Sequence, residues 1–265
     1  HIQLQGFDNP HYTDVTYPWD GHDVVKPGQI DMDKNKVYQY RKTFDCPQDF
    51  IGNKLILSFE GAESNIYVWL NGKFIGYSED SFTPSRFDIT KYTQEKDNVL
   101  CVRIFQKCTG TWLEDQDMWR FTGLFRDVMI YKQPSQHIQD LKIDTDIDLD
   151  TNKSVLSCVC KMSSNESHTL QAKLYDPQGN IVWNGNMQDS FEIPVENTCL
   201  WSSEFPNLYQ LELVLYDTNN EIIETIQEQV GFRKFTLEYG IMKLNGKRIV
   251  FHGINRHEWD PKTGR

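Results

Sequence analysis

The feature that most constrains this chain is a hairpin. Asn65-Ile66-Tyr67-Val68-Trp69-Leu70 leads into Asn71-Gly72 and returns through Lys73-Phe74-Ile75-Gly76-Tyr77. Asn-Gly supplies the positive φ angles that a two-residue turn needs, and the flanking residues alternate with the period of two that a half-buried strand shows. Similar runs over Val37 to Phe44, Lys54 to Phe59, Asn98 to Phe105 and Phe125 to Tyr131 read as further strands. No window of a dozen residues keeps a 3.6-residue apolar stripe, so the chain is predicted to be mainly β, and antiparallel strands at this spacing imply a sandwich or jelly roll.

Gln133-Pro134-Ser135 reads as a linker. Beyond it, strands are predicted near Leu141 to Ile147, Ser154 to Met162, Thr169 to Tyr175, Ile181 to Trp183, Leu208 to Tyr216 and Glu221 to Val230. Turns at Asp176-Pro177-Gln178-Gly179-Asn180 and Asp217-Thr218-Asn219-Asn220 divide them. A seven-stranded immunoglobulin-like sandwich of about 100 residues has this rhythm. From Gly231 the pattern changes. Gly240 to Leu244 turns at Asn245-Gly246 into Lys247 to Asn255, an apolar strand ending in Asn255-Arg256-His257-Glu258, which reads as the opening of a third domain.

Charge narrows the ligand class. Lys plus Arg number 27 against 38 Asp plus Glu, a net charge of -11, which disfavours nucleic acid and anionic membranes as partners. No apolar run reaches membrane-spanning length, so no membrane segment is predicted. The six cysteines lack the density of a disulfide framework, and Cys158-Val159-Cys160 lacks a second pair at zinc spacing. Alternation across Val155 to Lys161 reads them as strand cysteines facing in and out, reduced, in a cytoplasmic protein.

The chemistry concentrates in Trp112-Leu113-Glu114-Asp115-Gln116-Asp117-Met118-Trp119-Arg120, three carboxylates between two indoles and beside a guanidinium. By composition this fits a solvated acidic loop. It equally fits a carbohydrate or cation site, where rings cover sugar C–H faces and carboxylates accept hydroxyl protons. Composition leaves both open.

The exact string, with Gly123 and Phe125-Arg126-Asp127-Val128 after it, resembles the acidic loop of the jelly-roll domain in glycoside hydrolase family 2 β-galactosidases. His11-Tyr12-Thr13-Asp14-Val15-Thr16-Tyr17-Pro18, Trp69 to Asp80, and His252-Gly253-Ile254-Asn255-Arg256-His257-Glu258 resemble that family in the same order. Trp201 to Tyr209 and Gly231-Phe232-Arg233 resemble its immunoglobulin-like domain and the exit from it. The resemblance spans the chain. It implies a jelly-roll sugar-binding domain over 1–134 with its first strands missing, an immunoglobulin-like sandwich over 135–231, and over 232–265 the start of a catalytic (β/α)8 TIM barrel. The expectation is therefore an interior piece of a larger enzyme, with which the non-Met start at His1 agrees.

The resemblance also implies roles. Asp117 falls where the family binds Na+ and meets the sugar's O6 hydroxyl. Asp14 stands where the family has an Asn that contacts sugar hydroxyls; once ionised it can accept but not donate, and it adds charge near Asp117. His257 matches a histidine that stabilises the transition state at the end of the first barrel strand, where barrel sites lie; a histidine pinned by Glu258 is the plainer alternative. Glu114 and Asp115 are expected to shape the loop or lie on its surface, Trp119 and Arg120 to pack or to touch ligand, and Arg256 to give structural support. Retaining hydrolysis needs two carboxylates about 5 Å apart. The family places both catalytic Glu and the Mg2+ ligands on later barrel strands, and neither Glu114 nor Glu258 matches them. The implied parent cleaves terminal β-D-galactosides such as lactose, as a homo-oligomer or with a complementing subunit, and this chain alone is expected to be inactive. The alternatives are a non-catalytic galactose-binding or scaffolding unit, and a family 2 β-glucuronidase or β-mannosidase.

Overall fold

Strand alternation sets the architecture of both halves of the chain. The computed structural model describes residues 1–16, 35–114 and 117–264. The chain divides into two compact units, one of His1–Gln133 together with the segment from Asn255 onward, the other Pro134–Ile254.

The first unit runs β1 (His11–Thr13), β2 (Val37–Phe44), β3 (Lys54–Phe59), β4 (Ala62–Glu63), β5 (Ile66–Leu70), β6 (Lys73–Ser78), β7 (Ser85–Asp88), β8 (Asn98–Phe105), β9 (Met118–Arg120), β10 (Gly123–Leu124) and β11 (Val128–Gln133). A four-stranded sheet in the order β2-β8-β5-β6 faces a three-stranded one, β11-β3-β7, while β1-β9 and β4-β10 form short pairs. The chain crosses between sheets instead of meandering through one, which is the jelly-roll arrangement. Ile66, Val68 and Leu70 of β5, Leu100, Val102 and Ile104 of β8, and Leu55, Leu57 and Phe59 of β3 share one core. Tyr67 and Trp69 occupy the opposite face of β5 and stack, as the period of two requires.

The hairpin turn forms as its sequence predicts. Asn71 and Gly72 take φ values of 51° and 77°, both in the left-handed region that an Asn-Gly turn accommodates. The Asn71 amide also donates to Tyr92 O at 2.8 Å and accepts from Val99 N–H at 2.8 Å. The turn is thus tied to the neighbouring strand. The last strand of the unit starts at Val128, three residues later than the sequence reading placed it. Phe125 N–H donates to Gly61 O and Glu60 N–H to Asp127 O, so residues 125–127 turn a corner before the Val128↔Phe59 register begins.

The second unit is the immunoglobulin-like sandwich: β12 (Ile138–Asp148), β13 (Lys153–Met162), β14 (Thr169–Tyr175), β15 (Ile181–Met187), β16 (Ser190–Glu196), β17 (Tyr209–Tyr216) and β18 (Ile222–Val230). Its sheets are β12-β13-β16 and β15-β14-β17-β18. Strand β16 was not read from sequence because Pro194 sits in its middle. Proline lacks an N–H to donate and is tolerated at an edge, which is where β16 lies, with Pro194 opposite Val155. Cys158 and Cys160 correct the in-and-out reading. Residues two apart share a face, and both thiols are buried in the core while Val159 is exposed. Burial pushes Cys158 up to about 12 and Cys160 up to about 11. All six cysteines are free.

The unit continues into a small sheet of β19 (Phe235–Glu238), β20 (Ile241–Leu244) and β21 (Lys247–Arg248). Trp201 anchors the exit from the sandwich: its N–H donates to Phe232 O at 2.8 Å, its carbonyl accepts from the Asn245 amide at 3.0 Å, and Arg233 lies over its ring. Residues up to Ile254 cluster with this second compact unit. The predicted strand over Lys247 to Asn255 is realised only at Lys247–Arg248. Ile249 N–H still donates to Met242 O of β20 at 3.0 Å, but a barrel strand is held by strands on both sides, and among the described residues none flanks 250–255. Phe251 is accordingly 71% exposed and Ile254 86%.

Two outcomes are expected. Leu174, fully buried, lies in β14; Leu174→Ala should cost about 2–5 kcal/mol, read as a lower urea midpoint. His168 bonds Asp189 at 2.7 Å through Nε2 and Glu166 O at 3.0 Å through Nδ1. Burial alone would lower its pKa, but these two acceptors outweigh it and raise the value above the ordinary 6.5. A raised folded pKa gives stability that is present in full below about pH 6 and lost as pH rises through the raised value. The urea midpoint should therefore fall from pH 6 towards pH 8, and Asp189→Asn should flatten that slope.

Candidate functional site

The site is built on the pairing of β1 with β9, whose register sets His11 opposite Arg120, Tyr12 opposite Trp119 and Thr13 opposite Met118. One residue beyond the ladder, Asp117 adopts a left-handed conformation, φ 53°, which aspartate tolerates better than most side chains. Its N–H donates to Asp14 O at 3.1 Å. Two segments far apart in sequence thus place Asp14 and Asp117 next to each other through the backbone.

Tyr12 donates its hydroxyl proton to Asp117 Oδ1 at 2.5 Å. That bond is the largest reason why the phenol is raised to about 12, followed by desolvation and the Asp117 charge. The Tyr12 ring packs against Trp119, centroids 5.4 Å apart, and Trp119 against Trp259, also 5.4 Å. His257 Nε2 lies 3.5 Å from Asp117 Oδ2, and its Nδ1 faces the Met118 thioether. The Asp117 and His257 side chains are 46% and 51% exposed, so both are open to a ligand.

Beneath these residues the loop is held by polar contacts. Glu114 accepts from the Ser81 hydroxyl at 2.7 Å and from Ser81 N–H at 3.2 Å. Gly110 N–H donates to Glu79 Oε2 at 3.1 Å, and Cys108 N–H to Thr111 Oγ1 at 2.9 Å. Arg120 is buried and donates to the Glu114 carbonyl, so its guanidinium faces the protein interior. Arg256 and Glu258 are exposed and face each other at 4.0 Å, which leaves His257 directed at Asp117 and not at Glu258. Asp115, Gln116, Tyr17 and Pro18 of the motifs lie outside the described residues.

The arrangement can accept hydroxyl protons on a carboxylate, donate from an imidazole, and offer an oxygen to a hard cation. Among the described residues no group of three or more His, Cys, Asp or Glu could hold a metal ion. Asp117 fits a sodium ion as one oxygen donor of a set, not as a whole site.

Residues 1–134 match the sugar binding domain of glycosyl hydrolases family 2, residues 136–233 match the model described as glycosyl hydrolases family 2, and residues 235–265 match the family's TIM barrel domain. The chain belongs to glycosyl hydrolase family 2. It is 46% identical over 272 residues to a β-galactosidase of Halalkalibacterium halodurans, covering 100% of this chain and 27% of that protein. It is 42% identical over 272 residues to the Streptococcus thermophilus β-galactosidase, covering 26% of that protein. A β-galactosidase large subunit from Leuconostoc lactis is 39% identical over 282 residues, with 45% of its length covered. The chain thus spans less than half of each of these relatives. Among solved structures, Lactobacillus rhamnosus β-glucuronidase superposes with a TM-score of 0.76 at 22% identity, over 86% of this chain and 41% of that one. At that identity the likeness shows the shared fold alone.

The structure brings together all three residues singled out from sequence, with Asp14 joined to Asp117 by its backbone carbonyl and His257 by its side chain. It adds Tyr12, to which the sequence reading gave no role. The signal was present: Tyr12 lies two residues before Asp14, on the face of β1 that meets Trp119, but only the β1–β9 register shows that its hydroxyl reaches Asp117. Glu114 proves to be a loop-shaping residue. Replacing it with Ala strips the Ser81 hydroxyl and N–H of their acceptor in a residue that is fully buried. The expected loss is about 1–3 kcal/mol of unfolding free energy by denaturant titration.

Proposed function

We propose that this chain is the sugar-recognition portion of a retaining β-galactosidase, hydrolysing terminal non-reducing β-D-galactosides of the lactose type. The observation that carries the reading is the convergence of Asp117, Asp14, Tyr12 and His257 on one surface of a chain that aligns over its whole length with β-galactosidases at 37–46% identity. Asp117 would accept the O6 hydroxyl proton and give one oxygen to Na+, which supplies a fixed positive charge to orient that hydroxyl. Asp14 would accept from a further hydroxyl. His257 would donate towards oxygen charge that grows in the transition state, an interaction that accelerates the reaction only if it is stronger there than in the bound substrate.

Glycosidic cleavage with retention needs an acid/base and a nucleophilic carboxylate on opposite sides of the scissile bond. Glu114 is committed to Ser81, and Glu258 faces Arg256. In this reading both catalytic Glu, together with the Mg2+ ligands, come from barrel strands beyond these residues, and the isolated chain is inactive. The large-subunit name of the Leuconostoc relative supports assembly with a complementing subunit. Among the described residues no helix is long and apolar enough to cross a membrane, and the free thiols fit a reducing, cytoplasmic setting.

The test is kinetic. The complete polypeptide carrying these 265 residues should cleave 4-nitrophenyl β-galactoside in preference to the glucuronide and mannoside. Asp117→Ala should lower kcat/KM by about 100-fold, the scale of losing one positioned charge interaction, and abolish activation by Na+. An unchanged rate and sodium response in that variant would remove Asp117 from the site.

A further inference from the structure

A lone aspartate is a poor ligand for a weakly bound ion. Its carboxylate torsion is broad and roughly two-fold, so both oxygens sample many directions, and binding must stop that motion. In this structure Asp117 does not stand alone. Its Oδ1 is held by the Tyr12 hydroxyl at 2.5 Å, within the short range of an O–H donor to an ionised oxygen. With Oδ1 fixed, the plane of the carboxylate is fixed, and Oδ2 is aimed at the side where His257 Nε2 lies 3.5 Å away.

Both ends of that hydrogen bond rest on the same two strands. Tyr12 is in β1 directly opposite Trp119 of β9, and the indole packs on its ring, which sets the height of the hydroxyl. Asp117 is the residue immediately before β9, and its N–H is bonded to Asp14 O, two residues after Tyr12. The hydroxyl and the carboxylate are therefore brought into register by the backbone ladder. The phenol and Asp117 remain on the surface, Tyr12 being 47% exposed, so the bond does not serve a buried core.

We infer that Tyr12 is a positioning residue: by occupying Asp117 Oδ1 it preorganises Oδ2 for the ligand and sets the affinity of the site for Na+. This rests on the reading of Asp117 as a sodium and sugar ligand. In this role Tyr12 acts through Asp117, to which its hydroxyl is bonded. Its contribution is the rotational freedom that Asp117 no longer has to lose.

The experiment uses Tyr12→Phe in the complete polypeptide, with calorimetric titration of NaCl into sodium-free protein held at constant ionic strength with a bulky ammonium salt. Phe keeps the ring packed on Trp119 and removes only the hydroxyl. The sodium dissociation constant is expected to rise about tenfold, the size of losing one hydrogen bond to a charged group. The urea midpoint should stay at the wild-type value, and the sodium concentration for half-activation should move by the same factor. If wild type binds sodium and Asp117→Ala abolishes binding, but Tyr12→Phe binds as wild type does, the inference for Tyr12 is overturned and the Asp117 reading stands. If Tyr12→Phe lowers the urea midpoint and kcat while leaving sodium affinity unchanged, the tyrosine is merely structural. If wild type shows no sodium response, the Asp117 reading fails and the Tyr12 inference falls with it.

Discussion

The antiparallel pairing of two three-residue strands, His11–Thr13 with Met118–Arg120, is the constraint on which the candidate site depends. It joins residues that lie 105 positions apart, as the Tyr12–Asp117 bond shows. So short a ladder would not persist by itself. Its support comes from the sandwich next to it: the loop before β9 is tied down by Glu114 on Ser81 and Glu79 on Gly110, and the strand after it leads through Thr122, whose N–H donates to Gln3 at 2.9 Å. The jelly roll supplies the rigidity, and the paired strands convert it into side-chain direction.

Much of the fold was legible because burial on one face imposes alternation. Val37–Phe44, Lys54–Phe59, Asn98–Phe105 and Thr169–Tyr175 have the boundaries that the apolar pattern marks, and Asn71-Gly72 specified its own turn. Elements whose pattern is overridden by a local exception were not legible. Strand β16 was hidden by Pro194, which only its edge position makes acceptable. The start of β11 was misjudged because Phe125 is apolar but serves a corner. The stretch after Arg248 was misjudged for the opposite reason: it is patterned as a strand, but a pattern makes a strand only when a partner takes up its N–H and C=O groups.

The site was legible as a set of residues and not as a geometry. Asp14, Asp117 and His257 could be named from strings that resemble a family, since each string marks a position. What joins them is set by register and backbone angle, neither of which a string contains. The left-handed Asp117, the Asp14 carbonyl as acceptor and the Tyr12 hydroxyl as donor are consequences of how β1 and β9 meet. Asp14 illustrates the difference. The sequence directs attention to its carboxylate in place of an amide, whereas the structure shows its main-chain oxygen in use, a contact that is indifferent to the Asn-to-Asp change.

The two halves of the site are held by different means. Tyr12 and Asp117 are fixed through main-chain pairing, so their geometry follows from the jelly-roll unit itself. His257 sits on a segment without a strand ladder and reaches Asp117 and Met118 by side-chain contacts alone, with Trp259 on Trp119 as its neighbouring anchor. Surface contacts of this kind, between groups about half exposed, are worth little individually. The Asp117 carboxylate is therefore held by the paired strands, whereas the His257 imidazole rests on side-chain contacts alone.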